Sequence, residues 1–201
     1  MPLTWDSDAA RKFELGIDHG VFYPMGVDGQ YSSGAAWDGL INVSLSPTGG
    51  DVTKLRADNI VYGSLRSVEE MEGSISCYTT PSGFEAADGR VAVTVPQSAT
   101  SAHVAGQNRG KFAFGFRSEI HDGTGAKKYK VTYVYGCSIS PSERTYETIT
   151  DSPDAQQLSY NFTADGLKVA GIDKPVAVYE LTGAAIDVEE TLPTPTALSG
   201  G

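Results

Sequence analysis

Acid–base or nucleophilic chemistry in this chain would have to come from three histidines and two cysteines, and their neighbours in sequence give them little to work with. His19 follows Asp18 and His121 precedes Asp122. Adjacent residues on a strand point to opposite faces, so neither pair is by itself the carboxylate–imidazole half of a triad. These two and His103 are expected as solvated loop residues. Neither a G-x-S-x-G nucleophile turn nor an H-E-x-x-H zinc motif occurs. Residues 105–112, AGQNRGKF, lack the first glycine of a phosphate loop and carry Phe112 where a magnesium-binding hydroxyl is needed. They also lead into a strand, whereas that motif must open a helix. Cys77 and Cys137 fall in separate predicted strands without the close second Cys or His of a zinc site, and are expected as buried free thiols. The expectation is no enzyme, no metal site and no cofactor.

Composition points the same way. The 201 residues include 25 Asp and Glu against 15 Lys and Arg, a net charge of −10, which argues against gripping a phosphate backbone or an anionic membrane. The 23 Gly and 10 Pro punctuate many short strands. One domain of this length can hold a single β core. Residues 1–13 are interrupted by Asp6, Asp8, Arg11 and Lys12 and lack the apolar centre of a signal peptide, so the chain is expected in a cytosol. No later run reaches membrane-spanning length. Residues 1–13 and 189–201, the latter with two prolines and a Gly-Gly end, are expected as a terminal arm and a flexible tail around a core at 14–188.

The elements that would position any site are strands. Trp37, Ile41, Val43 and Leu45 share one parity, as do Met71, Ile75 and Cys77, and Val91, Val93 and Val95, each set marking a half-buried strand. Phe112, Phe114 and Phe116, a turn at 122–125, then Tyr129, Val131, Tyr133 and Tyr135 predict a hairpin with aromatic pairs across it. Leu158, Tyr160 and Phe162 alternate with Gln157, Ser159, Asn161 and Thr163. The only helix expected is Ser82–Ala87, with Ser82 and Glu85 as a capping box. Residues 46–59, with Pro47, Gly49 and Gly50, and residues 140–153, with Pro141 and Pro153, are expected as long loops. Arg109, Lys111, Lys127, Lys128 and Lys130 form a small basic cluster, read as a solvated or edge-protecting face, with acid on a neighbouring subunit as the alternative. Glu69, Glu70, Glu72, Ser74 and Ser76 give one strand a wholly hydrophilic face.

The stretch Gly34 to Pro81, continued by SGFEAADG at Ser82–Gly89 and by VYGCSISPSERTYETITDSPDA at Val134–Ala155, resembles the major tail tube proteins of long-tailed bacteriophages. Gly20-Val-Phe-Tyr-Pro24 and the Phe114–Tyr135 region share in the likeness, which spans residues 14 to about 182. The resemblance implies an all-β fold with a short helix, a β-sandwich or half-barrel whose strands complete an inner barrel in a hexameric ring. Rings would stack into the tube through which the genome leaves. The implied partners are further copies of the chain, the tape measure protein, the tail terminator and tail tip proteins, and DNA in passage without specific binding. The implied location is the virion tail, after assembly in the host cytoplasm. On that reading an acidic wall lets DNA slide, because cationic contacts would hold it. Lumen-facing candidates are Glu70, Glu72, Ser74, Ser76, Gln157, Ser159, Asn161 and Thr163, for which simple solvent exposure is the alternative. Ring-stacking candidates on the two long loops are Thr48, Asp51, Lys54, Arg56, Asp58, Glu143, Arg144 and Asp151. A monomeric carbohydrate-binding or capsid-decorating sandwich is the competing reading, for which Trp5, Trp37 and Tyr31 could form a platform, although Trp37 alternates like a core residue.

Overall fold

The computed structural model describes residues 12–57, 59–66, 69–94, 101–106, 108–141 and 155–196. Apart from one helical turn the described chain is β: β1 (Lys12–Pro24), β2 (Ala35–Trp37), β3 (Leu40–Gly49), β4 (Val52–Ala57), β5 (Ile60–Arg66), β6 (Glu69–Cys77), α1 (Phe84–Ala87), β7 (Arg90–Thr94), β8 (Ser101–Ala105), β9 (Phe112–Asp122), β10 (Lys127–Ile139), β11 (Leu158–Ala164) and β12 (Val178–Gly183). One eight-stranded sheet runs β2-β1-β9-β10-β11-β6-β3, with β12 added on β10. β4–β5 and β7–β8 are separate two-stranded hairpins. The sheet curls until β3 touches β1.

The curl encloses an aromatic core. Phe22, Trp37, Phe112, Phe114, Tyr160 and Phe162 line it, and α1 inserts Phe84 among them. Phe84 stands 4.9 Å from both Trp37 and Tyr160, ring centre to ring centre. Such pairs add about 0.5–1.5 kcal/mol each beyond the area they bury. The Trp37 indole N–H, unable to stay unpaired in this core, donates to Thr79 O at 2.9 Å.

The β9–β10 hairpin forms as its alternation predicts, but the two aromatic rows do not pair with each other. The register sets Val134 opposite Phe114 and Thr132 opposite Phe116, and Tyr133 opposite Gly115. Partners across an antiparallel ladder share a face, so the phenylalanines enter the enclosed core and Val131, Tyr133 and Tyr135 form a second one on the reverse side. That second core is covered by residues 186–192, with Ile186, Val188 and Leu192 packed on it.

A single residue lets β10 serve both layers. Its first half pairs with β12 and its end with β11, the ladders parting at Gly136, which has φ 68°. A Cβ at Gly136 would lie 2.9 Å from the backbone of Gly166. Gly136→Ala therefore combines a left-handed backbone with a steric clash and is expected to cost about 1–3 kcal/mol, read as a lowered midpoint in urea. An unchanged midpoint would remove the branch point from the account.

Several expectations change. Residues 46–57 are not a loop: they finish β3, bend at Gly49 and Gly50 (φ 80° and 74°) and continue as β4. Pro47 is tolerated because β3 is an edge strand of the sheet. A bulge between Leu40 and Asn42 turns Leu40 to the core instead of Ile41, and Trp37 belongs to β2. The helix starts at Phe84 after Gly83 in the left-handed conformation, with no side-chain cap, so Ser82 does not cap it. Val91 and Val93 are exposed, not half-buried. Lys12 and Phe13 begin β1 instead of ending an arm, and residues 189–196 lie against the body instead of trailing away. Residues 1–11, Val95 and 142–154 lie outside the described residues. The cysteines are buried and free, as expected. No described helix is long and apolar enough to cross a membrane.

Candidate functional site

All three histidines lie on strands, His19 on β1, His103 on β8 and His121 on β9, where loops were expected. His19 does not use Asp18. Its Nδ1 meets Asp187 at 2.8 Å, and its Nε2 faces Arg117 Nη2 at 3.3 Å. Arg117 holds Asp18 with two parallel bonds of 2.9 Å and Asp187 with a third of 3.0 Å. The hydrogen bonds from Arg117 keep the Asp18 carboxyl below its ordinary range. The His19 ring is thus held between Asp187 and Arg117 in a network of charged side chains. His121 pairs with Glu119 at 2.7 Å and stacks on Phe13.

Three cations of the basic cluster are paired within the chain. Lys111 reaches Asp165 at 2.5 Å, Lys127 reaches Glu119 at 2.6 Å, and Lys130 lies between Glu14 at 2.6 Å and Glu180 at 3.6 Å. Trp37 is core, and the Tyr31 hydroxyl, half-buried, accepts the Gly136 N–H at 2.9 Å, so neither offers an aromatic platform. Trp5 lies outside the described residues.

The extensive polar feature is one side of β3, β6 and β11. Register places Ser76 between Asn42 and Ser159, Ser74 between Ser44 and Asn161, and Glu72 between Ser46 and Thr163. Thr48 lies opposite Glu70. Two polar sets far apart in the sequence therefore form a single surface, with Gln157 continuing it just before β11. The reverse sides of the same strands carry Ile75, Cys77, Tyr160 and Phe162 into the core. Ser44 and Ser74 hydroxyls lie 2.9 Å apart, and the Ser74 N–H donates to Ser44 Oγ. Most of the side chains on this surface are short and uncharged, and its charge lies at Glu70 and Glu72. β3 forms its outer edge, free to pair within the described sheet.

β3 leads through the bend at Gly49 and Gly50 into β4, which pairs with β5, so the β4–β5 hairpin lies in the chain between the paired strands β3 and β6. Of the stacking candidates Thr48 ends the polar face, Asp51 lies at the bend, and Lys54 and Arg56 lie on β4. Asp58, Glu143, Arg144 and Asp151 fall outside the described residues. Beyond the bend the hairpin has no more than slight contact with the other described elements. Ile60 is 63% exposed, Tyr62 77% and Leu65 60%. Sequence reading missed this arm because Pro47, Gly49 and Gly50 look like loop punctuation; the alternation of Thr53, Leu55 and Ala57 with Lys54 and Arg56 was the available signal.

The segment after β12 is tied down by hydroxyls of the second core. Tyr23 donates to Glu189 O, Tyr133 accepts the Glu189 N–H at 3.1 Å, and Tyr135 donates to Pro193 O at 2.7 Å. Burial pushes all three phenols above their ordinary range. A phenol with a folded pKa above its unfolded value of about 10 contributes stability in full below that pH and loses it as pH rises further. Protease sensitivity of 186–196 should thus stay flat from pH 7 to 9 and climb above about pH 10. Release below pH 9 would contradict this tie.

Comparison with protein-family models gives no match, and comparison with curated proteins gives none at a significant level.

Proposed function

We propose that this chain is a structural protein that polymerises as stacked hexameric rings into a bacteriophage tail tube, the conduit for genome ejection. The observation that carries the reading is the continuous polar face of β3, β6 and β11, backed by core and bounded by the β3 edge. A channel wall for DNA needs hydroxyls and carboxylates without cationic grips, since each phosphate contact adds salt-dependent retention. The free β3 edge supports strand pairing with a neighbouring copy, which would extend the face into a closed barrel and remove an edge otherwise open to indiscriminate pairing. The β4–β5 arm supports contact with the next ring. The tape measure, terminator and tip proteins, and location in the virion tail, belong to the same proposal.

Negative-stain imaging of concentrated protein tests it: rings or tubes are expected, and compact monomers under every condition, including a tail-tip template, would favour the monomeric binding module. Copies carrying −10 each repel one another. Screening shortens from about 30 Å at 0.01 M salt to about 8 Å at 0.15 M, so added salt should accelerate assembly in a light-scattering assay. Slower assembly with salt would mean that attractive ion pairs dominate the contact.

A further inference from the structure

Asp18 and His19 are neighbours on β1, and on a regular strand their side chains would point to opposite faces. Both nevertheless reach Arg117. The register between β1 and β9 shifts on either side of Asp18, and His19 has φ 46°. Bulges bend a strand and re-aim its side chains, and a non-glycine residue in the left-handed region persists only where its surroundings over-determine it. Those surroundings are Arg117 and Asp187. Arg117 comes from β9, its side chain 14% exposed and its guanidinium 4.5 Å from the centre of the Tyr129 ring. Asp187 comes from the segment after β12 and is met by His19 at 2.8 Å, by Arg117 at 3.0 Å and by the Val188 N–H at 2.8 Å. A strained bend of β1 is thus closed by one carboxylate from a different part of the chain.

That carboxylate stands at the start of a segment with thin attachments elsewhere. Residues 186–189 and 192–196 have no regular secondary structure. Ile186, Val188 and Leu192 are only partly buried against the second core. Among the described residues, the backbone bond joining the segment to the body runs from Gly34 N–H to Glu190 O at 2.7 Å, alongside the hydroxyl contacts of Tyr23, Tyr133 and Tyr135. Few buried apolar contacts and no ladder of backbone bonds mark the part of a fold that opens first.

We infer that residues 186–196 form a strap that opens as one unit over the second core, and that Asp187 is its latch. Each phenol holds the strap by one neutral hydrogen bond, whereas Asp187 gathers a guanidinium, an imidazole and an amide at a single point. Bonds to an ionised group are about twice as strong as neutral ones, so this point dominates the attachment. Opening uncovers Tyr23, Tyr133 and Tyr135 and leaves the phenylalanine core on the other side of the sheet closed. The chain then has two states, one with its tyrosine core covered and one with it bare, and a single side chain sets the balance between them. This device goes beyond the tube reading and belongs to the isolated chain.

Native-state hydrogen exchange on the full chain, followed by NMR, reads the strap directly. Gly34 is the sentinel, because it lies outside the strap and its N–H is bonded to Glu190 O. The amides of Gly34 and Glu189 should share one opening constant, larger than that of the β10 amides and less dependent on urea, because lifting the strap exposes less surface than unfolding. Asp187→Ala should raise both constants together by about tenfold or more, as loss of bonds to a charged group does. A Gly34 amide as protected as β10, with the same urea slope, would show that the strap does not open by itself and would overturn the inference. A Gly34 amide unchanged by Asp187→Ala would overturn the latch. Should that variant not fold, the parent chain decides: going from about 0.01 M to about 1 M salt shortens screening from about 30 Å to about 3 Å and should raise both constants relative to β10. Constants that keep the same ratio to β10 across that range would overturn the latch as well.

Discussion

A chain in which residues 52–66 are replaced by a tight Asn-Gly turn folds like its parent and does not elongate into tubes. The first half of that expectation follows from packing. β4 and β5 pair with each other and lend no side chain to either core. Their removal therefore takes away no buried contact, and shortening the connection between β3 and β6 lowers the closure entropy slightly. Six exposed large apolar side chains, Val52, Leu55, Ile60, Val61, Tyr62 and Leu65, disappear with the arm. Solubility should rise. The second half follows from the same exposure: an apolar projection on a soluble chain is the surface that association covers. The urea midpoint should stay within about 0.5 kcal/mol of the parent in stability, while tube length under imaging falls to single rings or none. Tubes of parental length from the shortened chain would take the arm out of the assembly interface.

Replacing Glu70 and Glu72 together by lysine should leave tubes intact and make them hold DNA. Both side chains are exposed on the polar face, so the change costs little packing energy, within about 0.5 kcal/mol by the usual behaviour of surface positions. Each chain gains four units of charge, from −10 to −6, all at two neighbouring positions of β6. Around a ring these ammonium groups would form a band facing phosphate. Each phosphate neutralised steepens the fall of log affinity with log salt by about 0.9. Mutant tubes should therefore retain double-stranded DNA at low salt and release it at high salt, and phage built from them should adsorb normally and eject slowly in a fluorescence assay. Parental ejection kinetics from intact mutant tails would place these carboxylates off the channel wall.

Sequence patterning read the strands well wherever one side faces a core and the other water. Met71, Ile75 and Cys77 against Glu70, Glu72, Ser74 and Ser76, and Tyr160 and Phe162 against Ser159 and Asn161, are visible in the chain because a period of two is local. That these two alternations make one surface was not visible. β6 and β11 lie more than 80 residues apart, and nothing local states that Ser74 will stand opposite Asn161. Buried free cysteines were legible for a related reason, since each sits at an inward position of a readable strand.

Where neighbours in space replace water, local signals pointed the wrong way. Pro47, Gly49 and Gly50 read as a loop because proline cannot donate to a ladder; an edge position removes that objection, and edges exist only once strand order is set. The prolines and polar residues after 188 read as a free tail, yet the hydroxyls of Tyr23, Tyr133 and Tyr135 bind the backbone there. Val91 and Val93 alternate like core residues and remain exposed, since among the described elements only β8 and α1 make more than slight contact with β7. By itself, then, the sequence determined an all-β chain, the inward and outward sides of its main strands and an acidic, histidine-poor surface. Only the tertiary structure decided which polar sides merge, which apolar sides stay uncovered and where His19 finds its carboxylate, because strand order and register depend on contacts between residues far apart in the chain.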